Sequence, residues 1–428
     1  GAALPLSFAQ ERLWFLDRLE PNCAFYNIAT AFHLAGPLDG EALARSLREI
    51  VRRHEALRTT FPAREGQAHQ VIGEAARWTL THADVQPSEW RRRIEEEARA
   101  PFDLAAGPLF RATLLRVSDV EHVLLLTMHH IVSDGWSMGT LARELEALYG
   151  AFAAGRSSPL AELPVQVADH AVWQRSRLRG RGFEAHLAYW QAKLAGAQPL
   201  VLPTDRPRPP AASHQGRLLT FQLPRALAVE LRALSRKEGA TLFMTLLSAF
   251  AVLLARHANQ VDFCIGTPIA TRNREALEGL IGLFVDTLVL RADLSGDPTF
   301  RALLGRMRDE ALASHAHQEV PFERIADRLG VARSLGQSPV FQVMFALQNA
   351  PMDGLRLPGV EVTSEEVETG TSKFDLSLSM QEHAEGLVGV FEVATDLFDV
   401  STVERLIGQF GVLLRAVVRD PEVPVSTL

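Results

Sequence analysis

Residues Met128–Ser137 read MHHIVSDGWS. Two adjacent histidines, then an aspartate and a glycine after three further residues, set two titratable rings beside a tight turn. Unperturbed imidazole titrates near about pH 6.5, so it can move a proton at neutral pH. Successive strand side chains point to opposite faces. His129 and His130 are therefore expected to do different jobs, one packed inside and the other presented across the sheet. Asp134 is short enough to organise the turn, or to pair with an arginine that holds the strand end still. Gly135 lets backbone approach a ligand closely. A helix beginning near Ser137 adds a dipole whose N-terminus favours developing negative charge. These ten residues also fit a hydrogen-bonded core histidine pair followed by an ordinary Asp-Gly turn. No metal site is expected, because adjacent strand histidines diverge and no third ligand has usable spacing.

The elements that must position these residues are legible in outline. EHVLLLTMHH (Glu121–His130) suits a buried strand, since it is a mainly apolar run opened by polar residues and too apolar for an edge strand. Ser133-Asp134-Gly135 stops it. A helix capped by Ser137 follows, with Leu141, Leu145, Leu148 and Phe152 as its stripe and Gly155 and Pro159 at its end. Ser7 and Gln10 form a capping box ahead of Leu13, Trp14 and Leu16. Strands are expected in YNIATAFHLAG (26–36), ALRTTF (56–61) and GPLFRATLLRV (107–117), and a helix after Asp39. The proline-rich stretch 201–216 is the best linker. Later segments again mix helices (224–238, 241–257, 403–418) with strands (262–270, 339–348, 373–381). The division expected is an N-terminal lobe over 1–175, an inter-lobe region over 176–215 and a C-terminal lobe over 216–428.

At 428 residues the chain is long enough for two lobes, and 47% hydrophobic with 22% charged residues is a globular composition. A net charge of −7 suggests neither a nucleic-acid nor an anionic-membrane partner. No apolar run reaches transmembrane length, and the first residues lack the pattern of a signal peptide. Two cysteines, Cys23 and Cys264, make no disulfide framework and fit a reducing cytoplasm. The ends of the chain read like those of a piece excised from a longer one.

HHIVSDG matches the HHxxxDG pattern of the condensation domains of nonribosomal peptide synthetases, which are related in fold to chloramphenicol acetyltransferase. SFAQERLWFL (7–16), RHEALRTTF (53–61), ADHAVWQ (168–174), IGTPIATRNREALEGLIGLFVDTLVLR (265–291), HQEVPFERI (317–325) and RSLGQSPVFQ (333–342) resemble further motifs of that family, in its order. The chain departs at Val167 and His170, where tyrosines are usual, and at Asp286, where asparagine is frequent. Cyclisation relatives replace the histidines with aspartate, and epimerisation relatives differ from GLFVDTLVLR. The opening resembles the subtype that joins two L-residues.

The resemblance implies an α/β (α+β) fold of two acetyltransferase-like lobes arranged as a V with a central tunnel. It implies amide formation between a donor acyl or peptidyl thioester and an acceptor aminoacyl amine. Both substrates ride on the phosphopantetheine arms of donor and acceptor peptidyl carrier proteins, with no cofactor bound by the domain itself and an adenylation domain as neighbour. His129, His130, Asp134 and Gly135 carry the catalytic motif. Within it, His130 orients the amine or accepts its proton, and His129 is structural. Asp134 is structural too, paired with Arg58 or Arg272. Gly135 leaves room for the arm or donates its N–H to the oxyanion. Trp136 and Ser137 are candidates for the tunnel lining, and Trp136 has packing as its alternative. Lys373, Phe374 and Asp375 resemble a packing strand. Arg12, Arg18 and the run Arg175, Arg177, Arg179 and Arg181 either meet acidic carriers or form a solvated face. Three variants stay open: a starter domain acylating the first residue with a fatty acyl group, an idle docking or recruitment domain of the same fold, and a free-standing acyltransferase that uses coenzyme A.

Overall fold

A computed structural model describes residues 4–178, 180–330, 340–348, 354–367 and 369–428. The chain forms two compact units. The first comprises Gly1–Arg179, Ala270–Val285 and Ala350–Thr369, and the second Gly180–Ile269, Asp286–Asn349 and Gly370–Leu428. The chain thus re-enters the first unit twice, which a division into contiguous lobes does not anticipate. Nor is 176–215 all linker: Arg181–Lys193 is a helix, and its Trp190 is sealed in the core of the second unit. Most of the motif at 333–342 lies outside the described residues, as does Arg179.

The first unit is built on a five-stranded sheet. Its spatial order is Glu361–Glu366, Asn27–Ala35, Glu121–His129, Phe110–Arg116, Thr81–Asp84. Glu121–His129 is the central strand. It pairs antiparallel along its whole length with Asn27–Ala35, from Ala35↔Glu121 to Asn27↔His129. Its other edge pairs antiparallel with Phe110–Arg116. Leu124, Leu126 and Met128 pack with Leu43, Leu47, Leu141 and Leu145, from the helices Gly40–Arg53 and Gly135–Ala153. Val123 and Leu125 face the other way, onto Ile94 and Ala98 of the helix Trp90–Arg99. Burial on both faces is why this strand shows no polar alternation.

Three local expectations shift. The strand stops at His129, and His130–Val132 form a 3-10 turn. The helix after it starts at Gly135 and is capped by Asp134, so Ser137 lies inside its first turn. The Asp134 carboxylate, three residues upstream, accepts the Ser137 N–H and carries full charge to the positive helix end, which favours it as the cap. The stretch at 56–61 is a 3-10 turn, Glu55–Arg58, followed by a two-residue strand.

The second unit carries a six-stranded sheet in the order Val285–Asp293, Asp262–Ala270, Val343–Gln348, Leu376–His383, Gly386–Ala394, Gly216–Pro224. The helix Leu242–Ala258 is buried at every position from Met244 to Ala255, which accounts for its apolar character all round. Among the described residues no single helix is long and apolar enough to cross a membrane.

Phe110 is fully buried and stacks on Trp78 at 5.2 Å between ring centroids. Phe110→Ala is expected to cost about 3–5 kcal/mol through the cavity it leaves. The denaturation midpoint of the first unit measures this, and a change below about 1 kcal/mol contradicts the packing.

Candidate functional site

The two histidines hold opposite tautomers because the backbone dictates them. His129 Nδ1 accepts the Ile131 N–H at 3.1 Å. An N–H only donates, so this nitrogen must carry a lone pair and the ring proton sits on Nε2. The ring is buried, with Tyr26 and Phe102 each at 6.1 Å between centroids. Its acceptor nitrogen closes the turn that follows.

His130 is half-buried, and its Nδ1 lies 2.8 Å from the Ser133 carbonyl. A carbonyl only accepts, so Nδ1 keeps its proton, and in the neutral ring Nε2 carries the lone pair. Its backbone N–H donates to Tyr26 O at 2.8 Å. The ring is thus held through both its main chain and Nδ1, and in the neutral form its lone pair lies on Nε2.

Asp134 anchors the turn. It is fully buried, and its carboxylate receives four kinds of donor. Oδ1 accepts from Ser137 N at 2.9 Å and Ser137 Oγ at 2.7 Å. Oδ2 accepts from Phe284 N at 2.9 Å. Arg272 Nη2 spans both oxygens, at 3.0 and 3.2 Å. Arg272 is itself only 7% exposed. Its Nη1 donates to the carbonyls of Leu277 and Leu280 at 2.7 and 2.8 Å, and its face covers the Phe284 ring at 4.2 Å. Burial draws the guanidinium pKa down, and the Asp134 charge opposes that.

Of the two arginines considered as partners of Asp134, Arg272 is the one in contact. Arg58 donates to Gly73 O at 2.6 Å and meets Glu55 at 3.4 Å. Its place at the end of a 3-10 turn directs it toward that local acceptor set. Ser137, considered for a substrate passage, is fully enclosed. Its hydroxyl donates to Asp134 and accepts from Gly282 N and Arg272 Nη2, both at 3.0 Å, so its bonding capacity is filled. Trp136 is half-buried and donates its indole N–H to Glu278 O at 2.9 Å. Gly135 is exposed, and a Cβ there would meet no protein atom within 4 Å.

Sequence reasoning missed the other half of this constellation. Ile281, Gly282 and Phe284 each give a backbone N–H to a buried side chain of the first unit: His54, Ser137 and Asp134 respectively. Backbone donors leave no trace in a motif. Glu144 was visible, as a carboxylate within one turn of the stripe Leu141, Leu145 and Leu148. It takes Arg53 Nη2 and His54 Nε2, both at 3.0 Å. Burial pushes its pKa up, but the bonds from His54 and Arg53 outweigh this and hold it below the usual carboxylate range.

His170 packs against Phe284 at 5.0 Å and Trp173 at 5.7 Å between centroids. Burial first, and then the charges of Arg272 and Arg274, lower its pKa to about 4.

Two outcomes are expected. Asp134→Ala leaves Arg272 buried without its counter-charge and costs about 3–5 kcal/mol. Arg272→Met behaves similarly, and the double variant costs less than the sum of the two in denaturant titrations. Additive costs contradict the coupling. For His170 the folded pKa lies below the unfolded one, so the unfolded chain binds the proton first. Its contribution is intact above pH 6.5 and is lost as pH falls from 6.5 to about 4. The loss totals roughly 3 kcal/mol. His170→Phe should flatten the stability profile over that window relative to the parent; an unchanged slope contradicts the assignment.

The family model for the condensation domain matches residues 2–428. A linear gramicidin synthase of Brevibacillus parabrevis is 50% identical over 99% of this chain, and the chain spans 6% of that relative's length. Among solved structures, the X-domain from teicoplanin biosynthesis superposes with a TM-score of 0.93 at 32% identity, covering 100% of this chain and 98% of that one. The four-domain nonribosomal peptide synthetase AB3403, bound to AMP and glycine, gives 0.91 at 26% identity, covering 100% of this chain and 34% of that one. With the histidine motif anchored by Asp134 and Arg272, a mixed α/β fold and a family match along nearly its whole length, this chain belongs to the condensation-domain family of nonribosomal peptide synthetases.

Proposed function

We propose that this chain forms an amide between a donor acyl or peptidyl thioester and the amine of an acceptor aminoacyl thioester. Each rides on the phosphopantetheine arm of a carrier protein, within a cytoplasmic multidomain synthetase that also holds an adenylation domain. The observation that carries this reading is the 2.8 Å approach of His130 Nδ1 to the Ser133 carbonyl, from which the tautomer follows. With Nδ1–H committed to Ser133 O, the lone pair on Nε2 can orient the acceptor amine or take its proton. The amine nitrogen attacks the thioester carbonyl carbon, a C–N bond forms and the C–S bond breaks. The amine proton passes through Nε2 to the departing thiolate, leaving an amide and a free donor thiol.

The thioester is already activated, so no cofactor is called for. Holding both arms together supplies up to about 7–11 kcal/mol through proximity. Proton transfer adds about 10²–10⁴-fold. Asp134 contributes through position, keeping the turn that aims His130. The exposed Gly135 suits a close approach of the arm, and its N–H at the head of a helix suits the oxyanion.

A second reading is favoured by one comparison. The likeness to the X-domain, which has also been solved in complex with OxyB, supports a recruitment role without bond formation. A starter variant taking a fatty acyl donor stays within the first reading. His130→Ala should lower amide formation by about 10²–10⁴-fold, read by mass spectrometry of carrier-bound products, with melting little changed. Full turnover by the folded variant rejects the role of His130. No amide from the parent, across a panel of loaded carriers, favours recruitment.

A further inference from the structure

His54 lies outside the HHxxxDG motif, yet it is 1% exposed and bonded at both ring nitrogens. Its Nδ1 accepts the Ile281 N–H at 3.1 Å, and its Nε2 lies 3.0 Å from Glu144 Oε2. The first bond fixes the tautomer. Nδ1 must hold the lone pair, so Nε2 bears the proton and donates it to Glu144. Glu144 sits on the helix that Asp134 caps, and Arg53 holds the same carboxylate through Nε and Nη2 at 3.1 and 3.0 Å.

Ile281 opens the short run in which Gly282 N binds Ser137 Oγ and Phe284 N binds Asp134 Oδ2. Three backbone donors within four residues are thus received by one helix, two directly and the first by way of His54. We propose that His54 is a positioning residue for the reaction centre: by seating Ile281 it sets where Gly282 and Phe284 meet Ser137 and Asp134, and so the turn from which His130 projects. This rests on the amide-forming reading for its consequence, but the seat itself can be read without turnover.

Two variants separate the ring nitrogens. His54→Asn places an acceptor near the Nδ1 position and cannot reach Glu144. His54→Gln reaches Glu144 and withdraws the acceptor from Ile281. The experiment uses the full chain with loaded donor and acceptor carriers, and amide hydrogen exchange on the same proteins. For His54→Gln we expect a drop in kcat of at least about tenfold with KM within about threefold, and faster exchange at both 277–284 and 130–137. For His54→Asn we expect kcat within about threefold of the parent and parental exchange at both segments, despite a lower melting temperature.

Matched losses in both variants that follow melting temperature overturn the proposal, as does faster exchange at 277–284 with kcat unchanged. If the parent forms no amide, the proposed function fails by itself. Exchange then decides: joint loss at 277–284 and 130–137 in His54→Gln supports the seat, and loss confined to 277–284 overturns it.

Discussion

The site depends on one ion pair removed from water. Asp134 and Arg272 are both buried, and a buried pair stabilises a fold little or not at all after desolvation. Its worth lies in what the geometry then fixes. Arg272 gives its Nη1 protons to the carbonyls of Leu277 and Leu280. Asp134 must satisfy its remaining lone pairs, and it takes the N–H groups of Ser137 and Phe284. Each set of bonds fixes backbone. Together they hold the segment 270–285 against the helix Gly135–Ala153, although more than a hundred residues separate them in sequence.

The adjacent histidines follow the same logic on a smaller scale. Both rings face backbone groups that cannot change role. The Ile131 N–H makes His129 an acceptor, and the Ser133 carbonyl makes His130 a donor at Nδ1. One ring closes the turn. The other carries its lone pair on Nε2 in the neutral form. The strand ends between them, so their difference arises from the switch to a 3-10 turn as much as from the alternation of strand faces.

Apolar patterning showed the central strand, since a run flanked by helices on both faces has no polar side to display. Capping chemistry showed the helix starts after Ser7 and Asp39. The cap after the histidines was misplaced by three residues because both Asp134 and Ser137 are good caps, and only the buried partner of Asp134 decides between them. The choice between Arg58 and Arg272 was equally beyond the sequence. Arg58 is spent on Gly73 and Glu55, which requires knowing the path of the chain. The seats of Ile281, Gly282 and Phe284 are backbone donors and carry no side-chain signature at all. The two returns of the chain to the first unit escaped for a related reason: contacts between distant segments leave no local period.

The central claim is that His130 presents a basic Nε2 because Ser133 holds the proton on Nδ1. Nitrogen NMR of the chain labelled at histidine ring nitrogens tests it most directly, at a pH where the ring is neutral. The account predicts a protonated Nδ1 and an unprotonated Nε2 at His130, with the reverse arrangement at His129. A lone pair on Nδ1 of His130, with the proton on Nε2, would contradict it.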